Sequence, residues 1–372
     1  MNKKSAILAL TAALCAGSAA NAADSLGDRF HYFGIMGHRY DHMKVEGRTD
    51  TSFVGILQLG FKVNDHISFE TQSELHKQYR QTEENQNLNG SSFPDDKSDW
   101  THLFENAYVN ANWDVAKLNV KAGRFTYIPA YGMTHGDYLY VSGAQVGFSP
   151  IDQVRLTLTG GQNTNYVPGG TFASMGYMAA EAAVTVIPKT TNVKVAFQRN
   201  QSNRGLAPAA AYAGYIASGG LGGVYGDNAY INYWEGGFDT KLPMNLSFEA
   251  AGIKSSYDDD NKGVYAQLKY GNAIPFVPGT FDIYAAYHNL QANSIMYNDL
   301  RYYKNMKGVR FGAHYTPMDS VLITAWYDVA KYIESDNPLQ PGGNSLVQDG
   351  STACFAGQKD NMFRLQVDFF FK

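Results

Sequence analysis

Twelve charged residues recur on one side of a two-residue alternation: Lys121, Arg155, Lys194, Lys269, Arg310 and Arg364 are basic, and Glu70, Glu74, Glu249, Asp282, Asp328 and Asp368 are acidic. Successive side chains of an extended strand point to opposite faces, so such residues share a face with other polar groups. They are not arranged for bond-breaking chemistry. The nine histidines include no HExxH, no GxSxG elbow occurs, and no His stands beside a Ser in a catalytic pattern. Fixed charges of both signs on one wetted face do something else. Rings of one sign select ions, and opposed signs across a narrow passage favour small polar solutes over apolar ones. The expectation is a protein without a reaction, a cofactor or a metal. Tyr265, Tyr284 and Trp326 lie on the same faces, either as an aromatic track for sugars or as scattered wall residues.

Those charges need strands to hold them. The last twelve residues, Asn361 to Lys372, place Phe363, Leu365, Val367, Phe369 and Phe371 on one face and Arg364, Gln366 and Asp368 on the other. Residues 67 to 80 repeat the pattern, with Ile67, Phe69 and Leu75 against Glu70, Gln72 and Glu74. Before them Phe53, Gly55, Leu57, Leu59, Phe61 and Val63 alternate with a less apolar set, and Asn64-Asp65 supplies a tight turn. The same rule predicts strands at 29–40, 52–63, 67–80, 101–113, 118–125, 138–148, 153–163, 177–187, 191–200, 229–240, 246–257, 263–271, 280–290, 307–316, 321–332 and 361–372. That is sixteen, with fourteen or eighteen open because the first and sixth are weakly patterned.

The connections alternate as well. Short ones hold Asn64-Asp65, Asp114 to Lys117, Ser149 to Asp152, Pro188 to Thr190, Leu242 to Asn245 and Pro317 to Ser320, and between them lie longer segments, notably 81–100, 201–228 and 333–360. Short turns on one side and long loops on the other are the plan of a transmembrane antiparallel β-barrel, its turns periplasmic and its loops extracellular. Gly271 to Gly279, with Pro275 and Pro278, falls on the turn side yet is longer than its peers. Aromatic residues near strand ends, such as Trp113, Tyr270, Tyr287, Tyr315 and Tyr327, fit interfacial girdles better than the core of a soluble sandwich.

Composition agrees with this all-β reading. The chain has 37 glycines, 26 tyrosines and 21 phenylalanines with a mean hydropathy of −0.31, and no apolar run long enough for a helical span follows the first segment. Residues 1–22 carry Lys3 and Lys4, an apolar run from Ala6 to Ala16, and Ala20-Asn21-Ala22, the order of a secretory signal peptide; residues 23–372 are then the barrel. Removing the leader takes away two lysines and no acid, so the net charge of −4 becomes −6, which argues against nucleic acid as a partner. Cys354 is then the only cysteine, and no intrachain disulfide exists.

At Phe104-Glu105-Asn106-Ala107-Tyr108-Val109, followed by Val120-Lys121-Ala122-Gly123-Arg124-Phe125, the chain resembles the trimeric Gram-negative porins. Ser142-Gly143-Ala144-Gln145-Val146-Gly147 and the aromatic last strand are similar too. The resemblance implies an outer-membrane homotrimer surrounded by lipid and lipopolysaccharide, passing ions and small hydrophilic solutes by passive diffusion. It also implies a pore-facing Arg124 at the constriction. Strict alternation instead puts Arg124 with Leu118, Val120 and Ala122 on the lipid side, unless Gly123 marks a bulge. Two features depart from the family: Lys372 follows Phe371, and only Thr126 to Asp137 stand where a long third loop narrows the lumen. Gly205 to Asp227 is the segment expected to fold inward in its place. The other reading is a non-conducting structural or adhesin barrel plugged by 201–228 or 333–360.

Overall fold

The computed structural model describes residues 29–43, 48–80, 101–134, 140–167, 171–202, 230–295, 305–335 and 355–372. Residues 1–22, read above as a signal peptide, and Gly205 to Asp227 lie outside the described residues. The strands are β1 (Phe30–Met43), β2 (Arg48–Lys62), β3 (Ile67–Arg80), β4 (Thr101–Trp113), β5 (Leu118–Thr126), β6 (Tyr140–Ile151), β7 (Val154–Val167), β8 (Thr171–Ile187), β9 (Thr191–Ser202), β10 (Tyr230–Leu242), β11 (Leu246–Ser255), β12 (Lys262–Gly271), β13 (Phe281–Leu290), β14 (Met306–Tyr315), β15 (Val321–Tyr332) and β16 (Met362–Phe371). Each pairs antiparallel with the next, and β1 pairs with β16, from Gly34 opposite Phe371 to Met43 opposite Met362. The sheet is a closed barrel of sixteen strands, as the alternation predicts.

Closure satisfies every edge and leaves two faces, and exposure along a strand shows which is which. On β13, Phe281, Ile283 and Tyr287 are 48, 52 and 45% exposed, while Asp282, Ala286 and His288 between them are buried. The apolar phase therefore points outward. On that outer face aromatic rings meet across strands near the ends, as Phe197 meets Trp234, Phe238 meets Phe248, and Tyr270 meets Phe281.

Two loop-side connections differ from the expected long loops. β1 to β2 and β7 to β8 are joined by segments no longer than the turns, because both hairpins continue as paired strands. In β7 and β8 the pairing runs to Val167 and Thr171, beyond the stretch where alternation is legible.

One row of the wall has almost no side chains. Gly123, Gly143 and Gly161 stand opposite one another on β5, β6 and β7, and a Cβ on Gly143 would lie 2.1 Å from the Gly160 carbonyl oxygen. The obstruction is backbone, which cannot swing aside. Gly143→Ala is expected to cost about 1–3 kcal/mol by overpacking, seen as a lower temperature for loss of the compact barrel band on a gel. An unshifted transition would show that the wall has slack there.

Candidate functional site at the third loop

After Thr126 the chain turns into the barrel. Glu181 on β8 accepts hydrogen bonds from the Tyr127 hydroxyl and the Ala130 N–H, both at 3.1 Å. Glu235 on β10 accepts from the N–H groups of Tyr131 and Met133 at 2.8 and 3.1 Å and from the Thr134 hydroxyl at 3.3 Å. Gln198 on β9 donates to the Thr134 hydroxyl at 2.7 Å. Lys194, also on β9, donates to the Ala130 carbonyl at 3.3 Å and lies 4.9 Å from the centre of the Tyr131 ring. These wall residues share the inward phase: Lys194, Ala196 and Gln198 alternate with exposed Val195, and Glu181 and Glu235 both stand opposite Ala196.

The segment thus reaches from β5 to β10, roughly 24 Å around the wall at about 4.8 Å per strand. Its short length does not prevent it from entering the lumen, contrary to the expectation from sequence, because it lies along the wall instead of spanning the opening. Ala130 and Tyr131 pack there against Ala196, Ile231, Tyr233, Ile253, Tyr265 and Leu290. The upper inner face of β10–β13 is therefore apolar, a departure from the polar-inside pattern, since it meets loop side chains and not water. Burial, then the Glu181 carboxylate, holds the Tyr127 phenol above its usual range, and burial with Asp239 does the same at Tyr131, so both remain donors.

The charges expected on the inner face are distributed around the ring. Glu70 meets His31 at 3.2 Å, and Glu74 lies beside Glu105 and Arg39. Lys121 sits 5.4 Å from the centre of the Tyr108 ring, and Arg155 donates to the Lys117 carbonyl at 2.6 Å. Glu249 stands opposite Asp239 and Gln267, and Lys269 opposite Ser247 and Tyr284. Asp282 is bonded to His314 at 2.6 Å and to the Ala273 N–H at 3.0 Å. Arg310 donates to Asp328 at 2.9 and 3.2 Å, with His288 on the other carboxylate oxygen at 3.0 Å. Arg364 grips Asp41 with two bonds of 2.6 and 2.9 Å, and Asp368 accepts from Gln366.

The proposed aromatic track is not open. The Arg310 and Arg364 guanidinium groups lie 3.9 and 5.1 Å from the Trp326 ring centre, Tyr284 stacks on His314, and Tyr265 is buried in the loop cluster.

Arg124 departs from the phase of the others. Gly123 has a φ of +131°, yet the ladder keeps its count through it, with Gly123 opposite Tyr108 and Arg124 opposite Ala107 and Ser142. Arg124 therefore shares the outer phase of Val109, which is 44% exposed. Its Nε donates to the Glu105 carbonyl at 2.9 Å, and its guanidinium lies 5.0 Å from the Tyr140 ring centre. The register shift sits one strand away. It falls between Gln72 and Ser73 on the β3–β4 ladder, and it leaves adjacent Glu105 and Asn106 both buried, Glu105 bonded to Gln72 and to the Tyr140 hydroxyl. The adjacent polar pair is the signal that would have located it.

Sequence reasoning also missed Glu181, the lone carboxylate of β8, Glu235, which shares the largely aromatic β10 with Asp239, and Arg39 and Asp41, at the weakly patterned end of β1. The closed sixteen-stranded ring is shared with solved structures. OprB of Pseudomonas putida superposes with a TM-score of 0.59 at 10% identity, covering 93% of this chain and 95% of that one. An anion-selective porin from Comamonas acidovorans gives 0.54 at 9% identity, over 92% and 99% of the two chains. The chain has the porin fold. OmpT of Vibrio cholerae, an outer membrane protein solved in trimer form, shares this porin architecture with a TM-score of 0.50 at 12% identity over 92% and 99%. No family model matches the chain, and no curated protein matches it in sequence. At 9–12% identity, the likeness to these structures is one of fold.

Proposed function

We propose that the protein is an outer-membrane porin, a water-filled channel for passive diffusion of ions and small hydrophilic solutes. The observation that carries this reading is that inward charges below the docked loop stay partly solvent-accessible. Glu70, Lys121, Arg155, Glu249 and Lys269 are half-buried. Water reaches the inner wall, and charges of both signs line it, so solute choice follows size and the field across the lumen. Residues 1–22 direct export, and lipid and lipopolysaccharide surround the outer face. Single-channel recording in a planar bilayer tests the reading: stepwise openings are expected, with the reversal potential under a salt gradient giving the ion preference. The apolar cluster around Tyr131 favours the second reading, a plugged structural barrel. Folded protein that carries no current would establish that reading instead.

The channel is a homotrimer in this proposal. Trimeric OmpT of Vibrio cholerae shares the fold. The outer phase of β3, β5 and β6 also carries polar groups, Thr71, Ser73, Arg124 and Ser142, which lipid would not solvate. A neighbouring protomer can bond them. Ala122→Trp, in the middle of this patch, is expected to convert the trimer to monomer at a lower temperature on a mild-detergent gel, whereas Ala285→Trp on the outer face of β13 is expected to leave it intact. Equal effects would place the contact elsewhere.

A further inference from the structure

The connection from Gly271 to Thr280 is longer than the other turns, and the structure shows where it goes. Gly271 and Gly279 bracket it with φ of +83° and +80°, and Pro275 and Pro278 fix two more of its torsions. It is stitched to the neighbouring turns on both sides. The Gly271 N–H donates to the Asn245 carbonyl at 2.9 Å, the Gly279 N–H to Thr316 at 2.8 Å, and the Ser320 N–H to Pro275 at 2.8 Å. The segment leans toward β16. Its Phe276 ring meets the Phe370 ring edge-on at 5.9 Å, three strands beyond β13, and Phe370 in turn meets Phe33 at 6.2 Å.

Phe370 and Phe33 share the inward phase. Phe370 follows Asp368 by two residues, between Phe369 and Phe371 on the outer phase, and Phe33 stands opposite Gln58, whose amide bonds the inner-wall Gln72. To touch Phe370 on that side, Phe276 must sit inside the rim of turns. The ammonium of Lys372 lies 4.1 Å from the centre of the Phe276 ring. An aromatic group with a cation on it, held by a braced turn, thus stands at the mouth opposite the third loop.

We propose that this turn forms a second constriction at the periplasmic exit, with Phe276 setting the size and Lys372 the charge of the small hydrophilic solutes that leave. The proposal rests on the channel reading above. Its physical basis is that a ring packed against inward Phe370 takes space from the aqueous path, and a fixed ammonium at a narrow mouth repels cations. The rigidity supplied by the two prolines and the turn-to-turn bonds keeps the ring in place.

The test uses the full-length protein with Cys15→Ser and Cys354→Ser, reconstituted in a planar bilayer. Phe276→Cys is treated from the periplasmic side with the methanethiosulfonate reagent that attaches a trimethylammonium-ethyl group. A stepwise loss of current is expected, while Met244→Cys, on an exposed neighbouring turn, is expected to label without loss. Phe276→Cys that labels by mass and keeps its full current overturns the proposal. If the untreated wild type carries no current, the channel reading fails and this one with it. Where Phe276→Cys does not insert, Lys372→Glu decides: the reversal potential is expected to move toward cation preference, and an unmoved potential overturns the charge role and the constriction together.

Discussion

Glu235→Leu is expected to raise single-channel conductance and to add open-channel noise. The carboxylate is buried and holds the third loop by two backbone N–H groups and one hydroxyl. Bonds to a charged acceptor contribute about 1.5–3 kcal/mol each, so losing the two backbone bonds alone removes about 3 kcal/mol or more. At about 1.4 kcal/mol per tenfold, that raises the undocked population by a factor of about 100. Glu181 still holds Tyr127 and Ala130, so the loop pivots instead of leaving the lumen. Glu235→Gln keeps one acceptor oxygen and is expected to fall between leucine and wild type. A folded Glu235→Leu channel with unchanged conductance and noise would mean that this loop does not set the width.

The second large effect is on stability. Arg310→Met leaves the Asp328 side chain, wholly buried, with His288 as the ring partner shown at 3.0 Å and without its two guanidinium bonds. Removing one partner of a buried pair costs about 3–5 kcal/mol, because the other charge stays out of water without compensation. The stacking of Arg310 on Trp326 is lost as well. A clear fall in the heat-modification temperature of the barrel is expected. Arg310→Met with Asp328→Leu is expected to recover part of it, since the stranded charge is gone. A double variant less stable than the single one would show that Asp328 is held by the rest of its surroundings and not by Arg310.

Most of the fold was legible because a closed barrel writes its two faces into the chain. An apolar outer face and a polar inner one impose period two, so Phe369 and Asp368, or Ile283 and Asp282, report their faces by identity alone. The strands at 67–80, 101–113 and 321–332 coincide with β3, β4 and β15. Legibility fails where the two faces no longer differ. The loop ends of β7 and β8 extend past the alternating stretch, and the inner ends of β10–β13 are apolar because they pack on the third loop.

Charge partners were not legible at all. Asp41 and Arg364 are far apart in the chain, as are Arg39 and Gln366, and they meet only because β1 and β16 close the ring. Alternation says that each faces inward. It cannot say which neighbour it finds there, since that depends on strand register around the whole barrel. The same holds for the Glu105 bulge, for the loop seated on Glu181 and Glu235, and for the turn that brings Phe276 to Phe370. By itself the sequence determined the strands and their order, because those follow from the local alternation of apolar and polar residues. Only the tertiary structure decided where the third loop and the turn at Phe276 are seated, because that depends on contacts between segments that closure alone brings together.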